Sequence, residues 1–462
     1  MASNKMYIFF LVLCLLFWNP LTYLWVYGKT PVRNTPDMLI VFALLCAAGL
    51  LAVWLLSRNQ LGERWKNRAV TAAFTGILFA LLVGFDGLVG FVAPTKEHGG
   101  LVFEPNTEAH YQTKEFDITA KTNSLGLRDR EVSVDKGDKY RVLCFGDSWT
   151  FGWGVDAENS WPKKLESHLQ ANGIPNAEVI NCGQGGQYPS VYLKYMEKAV
   201  PMLKPDLVLV GVLQGDDLAQ EYESRFMGSD EMADGKSGGF SPGRLLRSGK
   251  QFLKSSFANT LAAMQRSRSG PVDVRKNWEQ SAAGIIGGLT PIQKLRFESL
   301  DKTMQDMFRT GDINPAILSG QVQYPERIII FNDPEHPATQ FALQTLDKDL
   351  KGMKAVCEAN GSRLVFCNMP TSYFTGHQVV GSRVDEIAKQ VLPYENQIDS
   401  MYRAVSTGNG VPYVEMTEHF ARLEDKNAYF FRYDGHPNER GYAEIARVIG
   451  EQLLFQNKLN LQ

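Results

Sequence analysis

Residues 140–155 read Y-R-V-L-C-F-G-D-S-W-T-F-G-W-G-V. Val142, Leu143, Cys144 and Phe145 form a short apolar stretch rich in β-formers, which predicts a buried strand. Gly146-Asp147-Ser148 then signals a turn, and helical spacing begins further on. A hydroxyl at the C-terminal end of a buried strand, just ahead of a helix, sits at the rim of an open α/β sheet, where such sheets bind ligands. From there the backbone N–H of Ser148 also points toward a reacting carbonyl. G-D-S alone would read as a tight turn; the longer run is far more specific.

Downstream the pattern repeats. Residues 161–170 have helical spacing and stop at Gly173. E-V-I-N-C at 178–182 predicts a second strand, followed by Gly183-Gln184-Gly185-Gly186, a flexible turn whose N–H groups can approach a ligand. A helix over 189–202 leads to D-L-V-L-V-G-V-L at 206–213, apolar enough for a parallel strand covered on both faces. Strand–helix–strand–helix–strand is the signature of a doubly wound sheet. Regularity is lost over 221–327, and 221–335 reads as a mostly helical insertion. Basic and apolar residues mix over 245–264, as in a lid or a surface helix. The α/β pattern returns with a helix over 338–360, a strand over 363–368, a helix near 384–405, a strand over 411–415 and a last helix over 439–455. Residues 139–220 and 336–462 thus form the two parts of one domain.

The N-terminal 94 residues differ in kind. Residues 6–27, 38–56 and 69–93 are apolar, each long enough to cross about 30 Å of hydrocarbon as a helix. The expectation is three transmembrane helices. Arg58, Arg64, Lys66 and Arg68 between the second and third outweigh Lys29 and Arg33 between the first two. The positive-inside rule then predicts an integral inner-membrane protein with an extracytoplasmic catalytic domain. Residues 95–138 read as a polar arm. The net charge of −2 comes with no repeated basic–aromatic pattern, which argues against nucleic acid. Six cysteines include no C-x-x-C and no zinc-ligand spacing, so they read as buried free thiols.

Serine needs a base to take its proton and a third group to orient that base. Of seven histidines, His436 has the best setting: just after Asp434, in a turn, ahead of the last helix. The run G-D-S-W-T-F-G-W-G resembles the first signature block of the SGNH hydrolases, also called GDSL-type esterases. N-S-L-G-L-R-D at 123–129 resembles a run found ahead of that block in many bacterial members, and D-G-H-P-N-x-x-G-Y at 434–442 resembles the last block. The resemblance spans residues 120–220 and 340–457. It implies a three-layer α/β/α, flavodoxin-like domain with a parallel sheet and an acyl-serine mechanism. Ser148 would be the nucleophile, His436 the base and Asp434 the acid, with no metal or organic cofactor.

Two departures stand out. The common family spacing is D-x-x-H, which would put the acid at Tyr433; Asp434 is two residues ahead instead. The family's oxyanion donors map to Ser148, Gly183 and position 216, where aspartate stands in place of asparagine. An ionised carboxylate accepts but cannot donate, and it repels a developing oxyanion. Asp216 could be protonated through burial and its neighbour Asp217, Gln214 could donate instead, or the site could be degraded. Arg128 reads as a structural ion pair or as a seat for an anionic substrate group. Two functions follow. One is a membrane-anchored esterase that hydrolyses or transfers small O-acyl groups on an envelope glycan or lipid. The other is a weak or inactive domain that serves as a binding component of envelope polysaccharide assembly. Oligomeric state is left open.

Overall fold

The computed structural model describes residues 99–225, 274–382 and 397–455. All of these except Arg225 fall in one compact unit, His98–Ser224 with Pro271–Gln462. Its chain begins with a hairpin, β1 (Glu108–Gln112) against β2 (Asp117–Lys121). The sheet domain follows: β3 (Tyr140–Gly146), α1 (Ser148–Phe151), α2 (Trp161–Ala171), β4 (Ala177–Gly183), α3 (Pro189–Leu203), β5 (Leu207–Leu213) and α4 (Asp216–Arg225). The described part of the insertion carries α5 (Val274–Gly287), α6 (Pro291–Glu298), α7 (Lys302–Arg309), α8 (Pro315–Leu318) and α9 (Arg327–Asn332). The domain then resumes with α10 (Pro337–Ala359), β6 (Arg363–Met369), α11 (Ser372–Thr375), α12 (Gln397–Gly408), β7 (Tyr413–Val414), α13 (Thr417–Ala421) and α14 (Glu439–Phe455).

The five-stranded sheet is wholly parallel, in the order β4-β3-β5-β6-β7. Counted from β3, that is the 2-1-3-4-5 order, whose switch point lies between its first and third strands. Here those are β3 and β5, so Ser148 starts α1 directly at the switch point. The strands alternate their side chains between two faces. Val142, Cys144, Leu207, Leu209, Val365 and Cys367 join Trp161, Leu165, Tyr442, Ile445 and Ile449 of α2 and α14 in one core. On the other face α3 packs against β3 and α10, and α10 against α12. Both faces are covered, which is why β5 is buried at every position and shows no polar alternation. Cys144, Cys182, Cys357 and Cys367 are buried free thiols.

The expected fold class needs one correction. It joined three transmembrane helices to the sheet domain, but among the described residues no helix is long and apolar enough to cross a membrane. The longest, α10, carries Asp347, Lys348, Asp349, Lys351, Lys354 and Glu358 and lies against the sheet with one face. Among the described residues the fold is the α/β/α domain with its hairpin arm and helical insertion. The apolar stretches 6–27, 38–56 and 69–93, and the basic stretch 245–264, lie outside the described residues.

The insertion's α5 to α8 build a small core of their own around Phe297, Met304, Met307, Phe308 and Leu318. The arm is equally ordered. Asn123 Oδ1 accepts the N–H groups of Leu125 and Leu127 at 3.0 Å each, and its amide donates to the Arg130 carbonyl at 2.8 Å. This ties the 123–130 turn and aims Arg128 and Asp129 into the sheet domain.

Candidate active site

Three elements converge at the C-terminal edge of the sheet. Asp147 caps α1 by accepting the Trp149 N–H at 2.9 Å, which fixes the turn that presents Ser148. Asp147 is buried, and burial pushes its carboxyl up to about 6. Ser148 Oγ lies 2.8 Å from His436 Nε2. His436 Nδ1 lies 2.5 Å from Asp434 Oδ1. A carboxylate on Nδ1 keeps the ring proton there and leaves the Nε2 lone pair for the serine hydroxyl. Burial acts to lower the His436 pKa, but the carboxylates around it, Asp434 foremost with Asp147 and Asp216, together outweigh burial and hold the imidazole above its ordinary value.

The D-x-H spacing works because of Gly435. Its φ of +84° folds the chain back between His436 and Asp434, a conformation that favours glycine. A Cβ there would also sit 2.8 Å from Val379 Cγ2. The loop is closed by hydrogen bonds from Phe431 N to the His436 carbonyl and from Gly435 N to the Phe431 carbonyl. Tyr433, at the usual acid position, is no acid, and Asp434 reaches the ring without it.

Two residues that the sequence did not single out hold Asp434. Trp153 Nε1 donates to Asp434 Oδ2 at 3.1 Å. Glu115, in the turn between β1 and β2, accepts the backbone N–H groups of Tyr433 at 3.0 Å and Asp434 at 2.8 Å. Burial raises the Glu115 carboxyl, while those two N–H groups pull it back. Trp153 was visible as part of the serine run. An isolated acid in a polar arm, 319 residues ahead of its partner, gave no signal.

The expected oxyanion donors fare differently. Ser148 opens α1, so its N–H is one that the helix itself does not use. Gly183 needs correcting. Its N–H already donates to Asn181 Oδ1 at 2.9 Å, and the residue backs onto α1, where a Cβ would come within 2.3 Å of Phe151 N. The turn residues Gln184, Gly185 and Gly186 line the cavity instead, with the Gly185 Cβ position 3.6 Å from Ser148 Cβ. Gln214 needs correcting as well. It is fully buried; its amide donates to Asp399 and Thr417 at 2.7 Å each, and its carbonyl accepts the Thr371 N–H at 3.0 Å. No donor is left for substrate. Asp216 lines the cavity, but it is not buried: its side chain is 47 % exposed and lies 3.5 Å from Arg327 Nη1. Asp217 is the buried one of the two, and burial pushes its carboxyl well up.

Arg128 neither pairs with an acid nor faces substrate. It is buried and donates to the carbonyls of Phe151 at 2.6 Å, Gly152 at 2.9 Å and Val155 at 2.5 Å, with its guanidinium over the Phe151 ring. These carbonyls end α1 and follow it, so the arm clamps the element that carries Ser148. Burial lowers the Arg128 pKa to about 10. Asp129 accepts the Asn181 N–H at 2.9 Å and pairs with Lys163 at 3.1 Å.

The cavity holding these groups measures about 720 Å³, inside the roughly 300–1,000 Å³ range of small-molecule sites. Of the histidines among the described residues, only His436 lines it. His377 is stacked on Phe430, and burial lowers its pKa to about 3. No group of acids, histidines or cysteines suited to a metal occurs among the described residues.

A parallel α/β sheet with serine, imidazole and carboxylate in hydrogen-bonded series at its switch point is an arrangement suited to nucleophilic attack by the serine. No family model matches the chain, and no curated protein matches it. Among solved structures it is similar to a lipolytic protein of the G-D-S-L family from Desulfitobacterium hafniense, at 13 % identity and a TM-score of 0.32, over 68 % of this chain and 99 % of that one. A lipase/acylhydrolase from Enterococcus faecalis aligns at 11 % identity and 0.34, over 68 % and 96 %. An SGNH-hydrolase family esterase aligns at 16 % and 0.30, over 69 % and 97 %. Overlays this loose carry no weight for the assignment, which rests on the geometry above.

Proposed function

We propose that the chain is an esterase that removes or transfers small O-acyl groups through an acyl-serine intermediate. Ser148 Oγ attacks the ester carbonyl while His436 Nε2 takes its proton. Collapse of the tetrahedral adduct breaks the ester C–O bond, and His436 returns the proton to the leaving alcohol. Water then adds to the acyl-serine with His436 as base, giving the carboxylic acid and free Ser148; an alcohol in place of water gives transfer. Asp434 orients the imidazole and stabilises it when charged. The N–H groups of Ser148, Gly185 and Gly186 hold the oxyanion; that of Gln184 is spent on the Gly146 carbonyl at 2.9 Å. The observation that carries this reading is the unbroken series Ser148–His436–Asp434, with contacts of 2.8 and 2.5 Å. An acylated glycan or lipid is the substrate class.

The test is labelling of the purified protein with a fluorophosphonate probe, beside Ser148→Ala and His436→Ala. Labelling that needs both residues supports the esterase. A folded wild type that stays unlabelled refutes it and favours a binding role, which aspartate at position 216 would then explain.

A further inference from the structure

One wall of the cavity carries polar atoms that the triad does not use. Gln220 and Glu223 stand three residues apart on α4, and so on one face of it. Arg327 opens α9 beside them. Its Nη1 lies 3.5 Å from Asp216, and its Nε lies 3.2 Å from Glu223 Oε1 without hydrogen-bond alignment. All of these residues line the cavity. Arg327 Nε, Arg327 Nη2, Glu223 Oε1 and Gln220 Oε1 are buried and have no hydrogen-bond partner among the described residues. An unmade bond at a buried polar atom costs about 1–3 kcal/mol. Native folds leave few such atoms; Arg327 Nη2 and Gln220 Oε1 have no hydrogen-bond partner among the described residues, and Arg327 Nε and Glu223 Oε1 meet only each other as an ion pair, so this wall of the cavity points to a ligand.

The mixture of donors and acceptors selects the ligand's chemistry. A phosphate or carboxylate would satisfy Arg327 but meet two carboxylates, those of Asp216 and Glu223. An ammonium would satisfy the acceptors but meet the guanidinium. An alkyl chain would bury Arg327 Nη2 and Gln220 Oε1 unpaired. Neighbouring hydroxyls both donate and accept, and so match the set. The same cavity also offers apolar rings for the C–H face of a sugar. Tyr111, Trp153 and Trp278 lie with centroids 4.9, 5.9 and 6.2 Å apart, pair by pair.

We propose that Gln220, Glu223 and Arg327 form a polyol subsite that seats the sugar ring of an O-acylated carbohydrate beside Ser148. This rests on the esterase reading and selects a glycan over a lipid as the acyl carrier.

The experiment is saturation-transfer NMR on the full chain with methyl hexopyranosides of the glucose, galactose and mannose series, which carry no ester. Ring protons should receive saturation from the wild type. Gln220→Leu, close in shape and without Oε1, should weaken binding about tenfold, the effect of one hydrogen bond near 1.4 kcal/mol. Arg327→Lys keeps the charge facing Asp216 and Glu223, removes Nη2, and should do the same. Circular dichroism checks that both variants fold. The subsite is overturned if no hexoside binds, if folded variants bind as tightly as wild type, or if octanoate binds in place of the sugars. Fluorophosphonate labelling reports on Ser148 separately. Sugar binding without labelling would sink the esterase and keep the subsite; labelling without sugar binding would do the reverse.

Discussion

Glu115 gives the sharpest test of how the site is held together. Its carboxylate receives two consecutive backbone N–H groups, from Tyr433 and Asp434, at 3.0 and 2.8 Å. A hydrogen bond to a charged group contributes about 1.5–3 kcal/mol. Glu115→Gln keeps one acceptor and turns an amide NH₂ toward the other N–H, so one bond is lost and one donor is left unpaired. Glu115 is half-buried, which places the expected loss at about 1.5–2 kcal/mol, the lower end of that range. If the bond positions Asp434, the loss appears in kcat as about a 10- to 30-fold fall at 1.36 kcal/mol per decade. If it only stabilises the fold, it appears as a drop of about 3–8 °C in Tm, with kcat unchanged. Steady-state hydrolysis of p-nitrophenyl acetate and thermal unfolding separate the two. Glu115→Asp keeps the charge and should recover part of kcat. Wild-type kcat and Tm in Glu115→Gln would show that the clamp does nothing, and the reasoning would be wrong.

The acid limb of kcat/KM should lie above pH 6.5, because His436 must be neutral to take the serine proton and the carboxylates around it, Asp434 foremost, hold its pKa above the ordinary value. Asp434→Asn leaves burial as the main influence, so the limb should move below 6.5 while kcat falls by roughly 10⁴; a limb that stays put would contradict the pairing. By linkage, the His436–Asp434 pair adds stability that is full below 6.5 and fades as pH rises through the raised folded pKa, which urea unfolding at several pH values can follow. Arg128→Met strips three carbonyl acceptors of their donor and should cost about 2–4 kcal/mol by the same denaturation measurement. Gly183→Ala pushes a Cβ to 2.3 Å from Phe151 N and should abolish fluorophosphonate labelling. Gly284→Ala, exposed within α5 with nothing near its Cβ position, should stabilise by about 0.5–1 kcal/mol in the same denaturation assay.

What was legible in the sequence follows from range. The apolar runs of β3, β5 and β6 announce themselves because a strand buried on both faces must be apolar at nearly every position. Their order along the chain, with helices between, brings the doubly wound topology with it. Ser148, Asp434 and His436 stand out because their local turns need particular neighbours, Asp147 as the cap and Gly435 at φ +84°. Donor geometry was not legible. Gly183 and Gln214 have suitable chemistry, but their N–H groups are already committed to Asn181, Asp399 and Thr417. No local pattern reports which donors are spent. Glu115 and Arg327 join the site across distances in sequence that spacing rules do not span.

The arm gains a physical account from these contacts. A nucleophile and its base work only while Oγ and Nε2 stay near 2.8 Å, and a misplacement of about 1 Å can cost 10²-fold. The two groups sit on separate loops, α1 after β3 and the 431–436 turn before α14, joined by no strand pairing. The arm reaches both. Arg128 takes the carbonyls at the end of α1, Asp129 takes the N–H of Asn181 in neighbouring β4, and Glu115 takes the N–H groups of the acid loop. A single ordered segment thereby ties the serine side of the triad to the acid side through Arg128, Asp129 and Glu115, none of which lines the cavity. That is reason enough for N-S-L-G-L-R-D to accompany the serine run: Asn123 ties the turn, and the turn aims Arg128 and Asp129 at the backbone that α1 and β4 leave unsatisfied.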